Sequence, residues 1–252
     1  MSTRCLVPAE LLAESEIRLP EAAGRHLHTV LRMTVGASLT LVDGRGQALA
    51  VSISSISRRE VVCTPVGTVE TLPQPRPEIV LFQSVAKGAR MDWLVEKAAE
   101  LGTTRLLPLI SRRSVARLEK GTRVERWERI ADSALEQSQG HWRMQIEPVH
   151  DWSQALTQLG SIPLRLAGAL TPDSRPLAAA LPPAAPPAVA WIVGPEGDFD
   201  AAEMEDLRAA GAAMCSLGPQ VLRVETAAIY GLSVLHCLYR SMPDQTANLL
   251  AD

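Results

Sequence analysis

The sequence predicts an α/β protein in two parts, a small β-rich domain followed by a larger domain built on a mainly parallel sheet. Three observations carry this. Residues 35–69 hold short alternating apolar runs broken by turn residues. Residues 71–77 (TLPQPRP) place three prolines in seven positions, which holds the backbone extended and excludes helix and central strand. From residue 78 onward, strand-like runs alternate with segments of helical period, as an α/β domain requires. The expected domains are 1–72 and 73–246.

In order, residues 20–32 (PEAAGRHLHTVLR) read as one short helix. Three strands follow at 38–42 (SLTLV), 50–54 (AVSIS) and 60–64 (EVVCT), with Asp43-Gly-Arg-Gly46 between the first two as a hairpin signal. In the second part, 79–85 (IVLFQSV) is a buried strand, 91–101 an amphipathic helix closed by Gly102, and 105–110 (RLLPLI) a strand. Residues 124–139 form a long helix with Trp127, Ile130, Ala134 and Leu135 on one face. Residues 164–168 and 189–193 are further strands. Asp200 and Glu203 form a capping box opening a helix that ends before Gly211, and residues 225–240 form the last helix. The PPAAPP stretch at 182–187 reads as a surface loop of the second domain.

A chain of 252 residues with 46% hydrophobic and 21% charged residues buries a real core, which excludes wholesale disorder, a coiled coil and a disulfide scaffold. Its apolar runs fall far short of the roughly 20 residues a bilayer demands, and no charged-then-apolar leader opens it. The expected location is the cytoplasm. Cys5, Cys63, Cys215 and Cys237 lack metal-ligand spacing and read as four reduced thiols, with no metal expected.

The net charge of −3 hides an asymmetry. Residues 1–75 are balanced, residues 76–130 carry twelve Lys/Arg against seven Asp/Glu, and residues 131–252 carry six against fourteen. Only Lys87, Lys97 and Lys120 are lysines among the 25 basic residues. Guanidinium forks suit phosphate and base-edge recognition, and a GC-rich genome gives the same bias without functional meaning.

Two glycine-bearing segments stand where chemistry is expected, outside the carboxyl ends of strands. One is 191–199 (WIVGPEGDF), and the other is 217–228 (LGPQVLRVETAA), which runs into the last helix. Neither is G-x-G-x-x-G or a P-loop, which disfavours a dinucleotide or triphosphate. Each alone has a plain account as a tight turn or a helix cap.

Together, Gly194-Pro-Glu-Gly197 and Leu217-Gly218 with Leu222-Arg223-x-Glu225-Thr226-Ala227 resemble the paired signatures of the SPOUT methyltransferases. Further matches, Lys87-Gly-x-Arg90-Met-Asp-Trp93, Lys97-Ala-x-Glu100-Leu-Gly102, Arg113-Ser114, Glu125-Arg-Trp127 and Glu136-Gln-Ser138, resemble the bacterial enzymes that methylate uridine N3 in 16S ribosomal RNA. His26-x-x-x-Val-Leu-Arg32 and Asp43-Gly-x-Gly46 resemble that family's PUA-like β-barrel. The resemblance implies a SPOUT-type α/β domain with a C-terminal trefoil knot, a PUA-like RNA-binding domain, S-adenosylmethionine as cofactor, the small ribosomal subunit as partner and a homodimer. Residue patterns alone would have given an ordinary doubly wound fold, since threaded chains are essentially absent from general topology. The chain departs from the family in carrying Asp198 where a second glycine is usual, and in Gln139-Gly-His-Trp-Arg143, where a more basic stretch is usual.

The resemblance also implies roles. The cofactor would lie against Gly168, Leu170, Gly194, Gly197, Leu217, Gly218 and Leu222. Uracil N3 is a poor nucleophile until its imide proton leaves, so a base or a cation that offsets the forming anion is needed. Arg223 is the candidate cation, and Glu225 is either the proton acceptor or a helix-cap carboxylate. RNA contacts are expected at Arg4, Arg25, Arg32, Lys87, Arg90, Arg112, Arg113 and Arg117, each of which reads alternatively as a solvated surface charge. His26 and His28 read as structural, and Met91, Trp93 and Leu94 as helix core. Ile229, Leu232, Val234, Leu235 and Leu238 offer either a dimer face or ordinary core. Two rivals stay open, a related enzyme acting on a ribose hydroxyl or a guanine, and a non-catalytic RNA-binding assembly protein.

Overall fold

A computed structural model describes residues 3–114 and 122–240; those within 1–74 and 132–143 form one compact unit, and those within 75–131 and 144–252 form another. Arg117 lies outside the described residues.

The first unit holds β1 (Thr3–Leu6), β2 (Ile17–Arg18), α1 (Glu21–Arg25), β3 (Ser38–Val42), β4 (Gln47–Ile56), β5 (Val61–Pro65) and β6 (Glu70–Thr71). Its strands run β1-β3-β4-β5-β2, with β6 on β4, and all pairs are antiparallel except β1 with β3. A register shift between Ile53 and Ser55 marks an irregularity in the β4–β5 ladder. Alternation aims Leu39, Leu41, Leu49, Val51 and Ile53 into one core with Ile17, Leu27 and Val61. Each side chain of this size contributes about 1.5–3 kcal/mol on full burial. The predicted Asp43–Gly46 hairpin is present. Asp43 Oδ1 accepts the N–H of Arg45 (2.7 Å) and of Gln47 (2.9 Å), and Gly46 has φ +98° with the Leu72 carbonyl 2.7 Å from where a Cβ would stand. The helix expected over 20–32 is only α1, followed by a wider π-type turn at His26–Val30.

The second unit is a seven-stranded parallel sheet in the order β11-β13-β10-β12-β7-β8-β9. Its strands are β7 (Glu78–Ser84), β8 (Arg105–Leu109), β9 (Gln145–Ile146), β10 (Leu164–Gly168), β11 (Arg175–Pro176), β12 (Ala188–Val193) and β13 (Ala213–Ser216). β7 and β12 lie mid-sheet and read as unbroken apolar runs because helices cover both faces. On one face, α2 (Ala89–Glu100), the start of α3 (Thr122–Gln137) and α7 (Val224–Arg240) cover Ile79, Leu81, Leu166, Trp191 and Val193. On the other, α4 (Trp152–Leu159) and α6 (Ala201–Ala209) cover Val80, Phe82, Leu107 and Ile192. The short α5 (Leu177–Ala180) precedes the proline-rich loop.

Residue patterns missed α4 and β13. α4 opens on a capping box between Asp151 and Gln154, a signal present in the sequence. β13 has four residues, too few for alternation to register. Met91 and Leu94 are buried as expected, but Trp93 is 45% exposed, because two residues on from Met91 it falls on the other side of the helix. Leu232 and Leu235 are core, while Leu238 is exposed. Among the described residues no helix is long and apolar enough to cross a membrane.

Candidate functional site

The site follows from strand order. β10 lies between β12 and β13, all parallel, with Gly168 in register with Val193 on one side and Cys215 on the other. The segments leaving these three strands therefore emerge at the same edge of the sheet, where α/β domains bind ligands. Between them is a cavity of about 330 Å³.

Its wall includes Gly168, Leu170, Gly194, Leu217, Leu222 and Arg223 of the expected residues. Gly197, Gly218 and Glu225 stand outside it. Apolar surface comes from Ala169, Val193, Val221, Val224 and Ala227. Glycine is needed at two strand ends for lack of room. A Cβ on Gly168 would lie 3.2 Å from the Trp191 ring, and one on Gly194 would lie 3.2 Å from the Phe199 ring. Gly218 turns the chain at φ +119°.

The second turn, 194–200, is held from several sides. The N–H of Asp198 donates to the Pro195 carbonyl (2.9 Å), and Asp198 has φ +58°. Aspartate tolerates this left-handed conformation because its side chain bonds locally, here Oδ1 accepting the N–H of Phe199 at 2.8 Å. Asp198 lines the cavity. The Asp200–Glu203 capping box is present, and the Glu203 side chain is fully buried. Its Oε2 accepts the Asp200 N–H (2.9 Å) and its Oε1 the backbone N–H of Arg112 (2.7 Å).

Three of the arginines expected at RNA converge on this turn. Arg113 donates to the Gly197 carbonyl (2.8 Å), Arg112 pairs with Asp200 (3.2 Å), and Arg90 pairs with Glu196 (3.2 Å). The hydrogen bonds of Asp200 to the start of α6, with Arg112 beside it, hold its carboxyl below the usual range. Sequence reading found these arginines but not what they hold. Lys87 is exposed. Arg223 is exposed and pairs with no carboxylate among the described residues. Glu225 sits in the first turn of α7, with Oε2 buried and without a hydrogen-bond partner there.

In the first unit, Arg4 donates to the carbonyls of Gln139 and Gly140, and burial lowers its pKa. Arg25 pairs with Glu21 (2.9 Å) on the exposed surface. Arg32 is exposed with φ +52°, a conformation uncommon for a side chain of its length. His28 has a buried Nδ1 without a partner among the described residues, and the Glu136 carboxylate accepts the N–H of Leu6 (2.7 Å). Among the described residues no group of three or more His, Cys, Asp and Glu is placed to hold a metal.

Residues 73–236 match the family model for an RNA methyltransferase domain, and residues 19–66 that for an RNA methyltransferase PUA domain. Among curated proteins, the ribosomal RNA small subunit methyltransferase E of Mycobacterium tuberculosis is 30% identical, covering 85% of this chain and 84% of that protein. The Bacillus subtilis protein of that name is 27% identical, covering 83% and 85%. A Legionella pneumophila methyltransferase solved with bound cofactor SAM superposes with a TM-score of 0.86 at 32% identity, covering 94% of this chain and 98% of that one. The Neisseria gonorrhoeae ribosomal RNA small subunit methyltransferase E, bound to S-adenosyl methionine, gives 0.83 at 28%, covering 95% and 98%. The SPOUT-type α/β domain and small PUA-like β domain implied by the resemblance are the fold these structures share. With two RNA methyltransferase models spanning most of its length, and relatives of one name matching nearly end to end, the chain belongs to the ribosomal RNA small subunit methyltransferase E family.

Proposed function

We propose that this chain uses S-adenosylmethionine to methylate N3 of a uridine in 16S ribosomal RNA. The observation that carries the reading is the opening of three adjacent parallel strand ends onto one cavity with Arg223 in its wall.

The lining fits the cofactor. Apolar side chains from three segments can enclose a purine ring, and the strand-end glycines bring backbone N–H and C=O groups to its edge. When bound, S-adenosylmethionine supplies a methyl group on a sulfonium, open to in-line displacement. The chain's own task is to align acceptor and donor and to keep water out of the cavity. Arg223, without a carboxylate partner among the described residues, offsets the negative charge that develops on the uracil oxygens as the N3 proton leaves. Glu225, outside the wall, acts at the helix start unless Glu225→Gln alters the pH profile of the rate. Lys87, Arg90, Arg112 and Arg113 supply phosphate contacts beside the turn, with Arg4, Arg25 and Arg32 on the PUA-like domain and Arg117 between β8 and α3. RNA phosphates would compete with the carboxylates that now hold Arg90 and Arg112.

The working form we assign is a homodimer in the cytoplasm. Trp93 on α2 with Tyr230 and Leu238 on the neighbouring α7 are exposed apolar side chains suited to a second copy.

The test is methylation of purified small subunits and of free ribosomal RNA, followed by nucleoside mass spectrometry. The reading expects 3-methyluridine. A ribose-methylated or guanine-methylated product would transfer the site to a related chemistry. Absence of cofactor binding by calorimetry would leave only an RNA-binding role.

A further inference from the structure

The cavity wall carries four charged side chains, Arg90, Glu196, Asp198 and Arg223. Arg90 and Glu196 neutralise each other across 3.2 Å. Asp198 has no cationic partner among the described residues. Its Oδ1 is used by the N–H of Phe199, at 2.8 Å, and among the described residues no group takes Oδ2. An uncompensated carboxylate is thus part of a largely apolar wall, where a charge is poorly screened by water.

The geometry also keeps this carboxylate in place. The left-handed φ of +58° and the bond to Phe199 restrict its side chain, and the Pro195–Asp198 hydrogen bond of 2.9 Å fixes the turn beneath it. A turn at φ +58° alone would be met more easily by glycine, so the side chain adds something that the backbone path does not require.

Resting on the methyl-transfer reading above, we infer that Asp198 makes the cavity discriminate by charge between the methyl donor and its demethylated product, favouring the donor. The donor carries a sulfonium cation. The product is a neutral thioether of otherwise the same structure. Both share the purine, the ribose, the ammonium and the carboxylate, so contacts with those groups raise both affinities alike. What separates them is the sulfur's methyl group and its positive charge, and a charge facing the sulfur acts on the latter. Among the described residues, the one negative charge in the wall without a cationic partner is at Asp198. Arg223, the uncompensated cation, then serves the acceptor side, where negative charge develops.

The experiment is titration calorimetry of S-adenosylmethionine and of S-adenosylhomocysteine, each alone, on the full-length protein and on Asp198→Asn. Asparagine keeps Oδ1 for the Phe199 N–H and tolerates the positive φ, so it removes charge and little else. Asp198→Gly is the second variant, and thermal unfolding of all three proteins shows that the turn still folds. The expected result is that the donor-to-product affinity ratio falls about tenfold in Asp198→Asn through weaker donor binding, with product affinity unchanged. An equal fall in both affinities overturns the inference, because the carboxylate would then face a group the two ligands share. Unchanged affinities overturn it as well. Failure of the unsubstituted protein to bind either ligand removes the methyl-transfer reading itself, which a lost ratio alone would leave standing.

Discussion

Glu203, with no exposed surface, accepts the backbone N–H of Arg112 at 2.7 Å, although the two residues are 91 positions apart in the chain. One carboxylate thereby ties the segment after β8 to the cap of α6, beside the cavity. Replacing it by alanine removes the acceptor of two part-buried backbone donors, those of Arg112 and Asp200, and empties the space the buried Glu203 side chain fills. Glu203→Ala is expected to cost about 1–3 kcal/mol of stability, and Glu203→Gln, which keeps one acceptor, clearly less. Urea unfolding midpoints check both.

Arg223→Ala is expected to leave cofactor affinity nearly intact and to reduce methylation by about 100-fold, the scale of losing one preorganised charge at a developing anion. Calorimetry and product formation, measured on the same preparation, separate the two effects. Unchanged turnover would discard the assignment.

A Cβ on Gly231 of α7 would overlap the indole ring of Trp191 in β12, whereas one on Gly67 would meet open space. Gly231→Ala should destabilise by about 1–3 kcal/mol through overpacking. Gly67→Ala should be neutral or slightly stabilising, because it restricts only the unfolded chain. Thermal unfolding of the pair gives the contrast.

Burial pushes the Cys5 thiol up to about 12 and those of Cys63 and Cys215 to about 11, while Cys237 is exposed. Native protein treated with iodoacetamide near pH 8 should gain one adduct, at Cys237, and denatured protein four. The sign of the pH effect follows. These thiols lose protons in the unfolded chain at ordinary values and in the folded chain only higher, so stability is intact below about pH 9 and falls as pH rises through the folded values. Denaturation midpoints between pH 8 and 11 measure it.

Much of this architecture was legible because the physics is local. The β7 and β12 runs, the Asp43–Gly46 hairpin and the Asp200–Glu203 cap each depend on a few neighbouring residues, and each is present. Apart from α4, whose capping box is local, what sequence reading missed depends on distant neighbours. Residues 213–216 become a strand only because β10 and β11 flank them. Arg90, Arg112 and Arg113 could be picked out as clustered basic residues, but their attachment to Glu196, Asp200 and Gly197 spans 84 to 106 positions and leaves no periodic trace. The placement of Leu170, Leu217 and Leu222 around one cavity came from resemblance, since nothing in their spacing brings them together.

The strand ends that meet at the cavity belong to residues near 168, 193 and 216, and the wall is finished only by the start of the last helix. A stretch that stops short of the start of α7 lacks part of that wall, so the cavity is completed only once the residues near 224 are in place. By mass action, any ligand that occupies this cavity favours the native arrangement of the segments around it and protects the folded protein against unfolding and proteolysis.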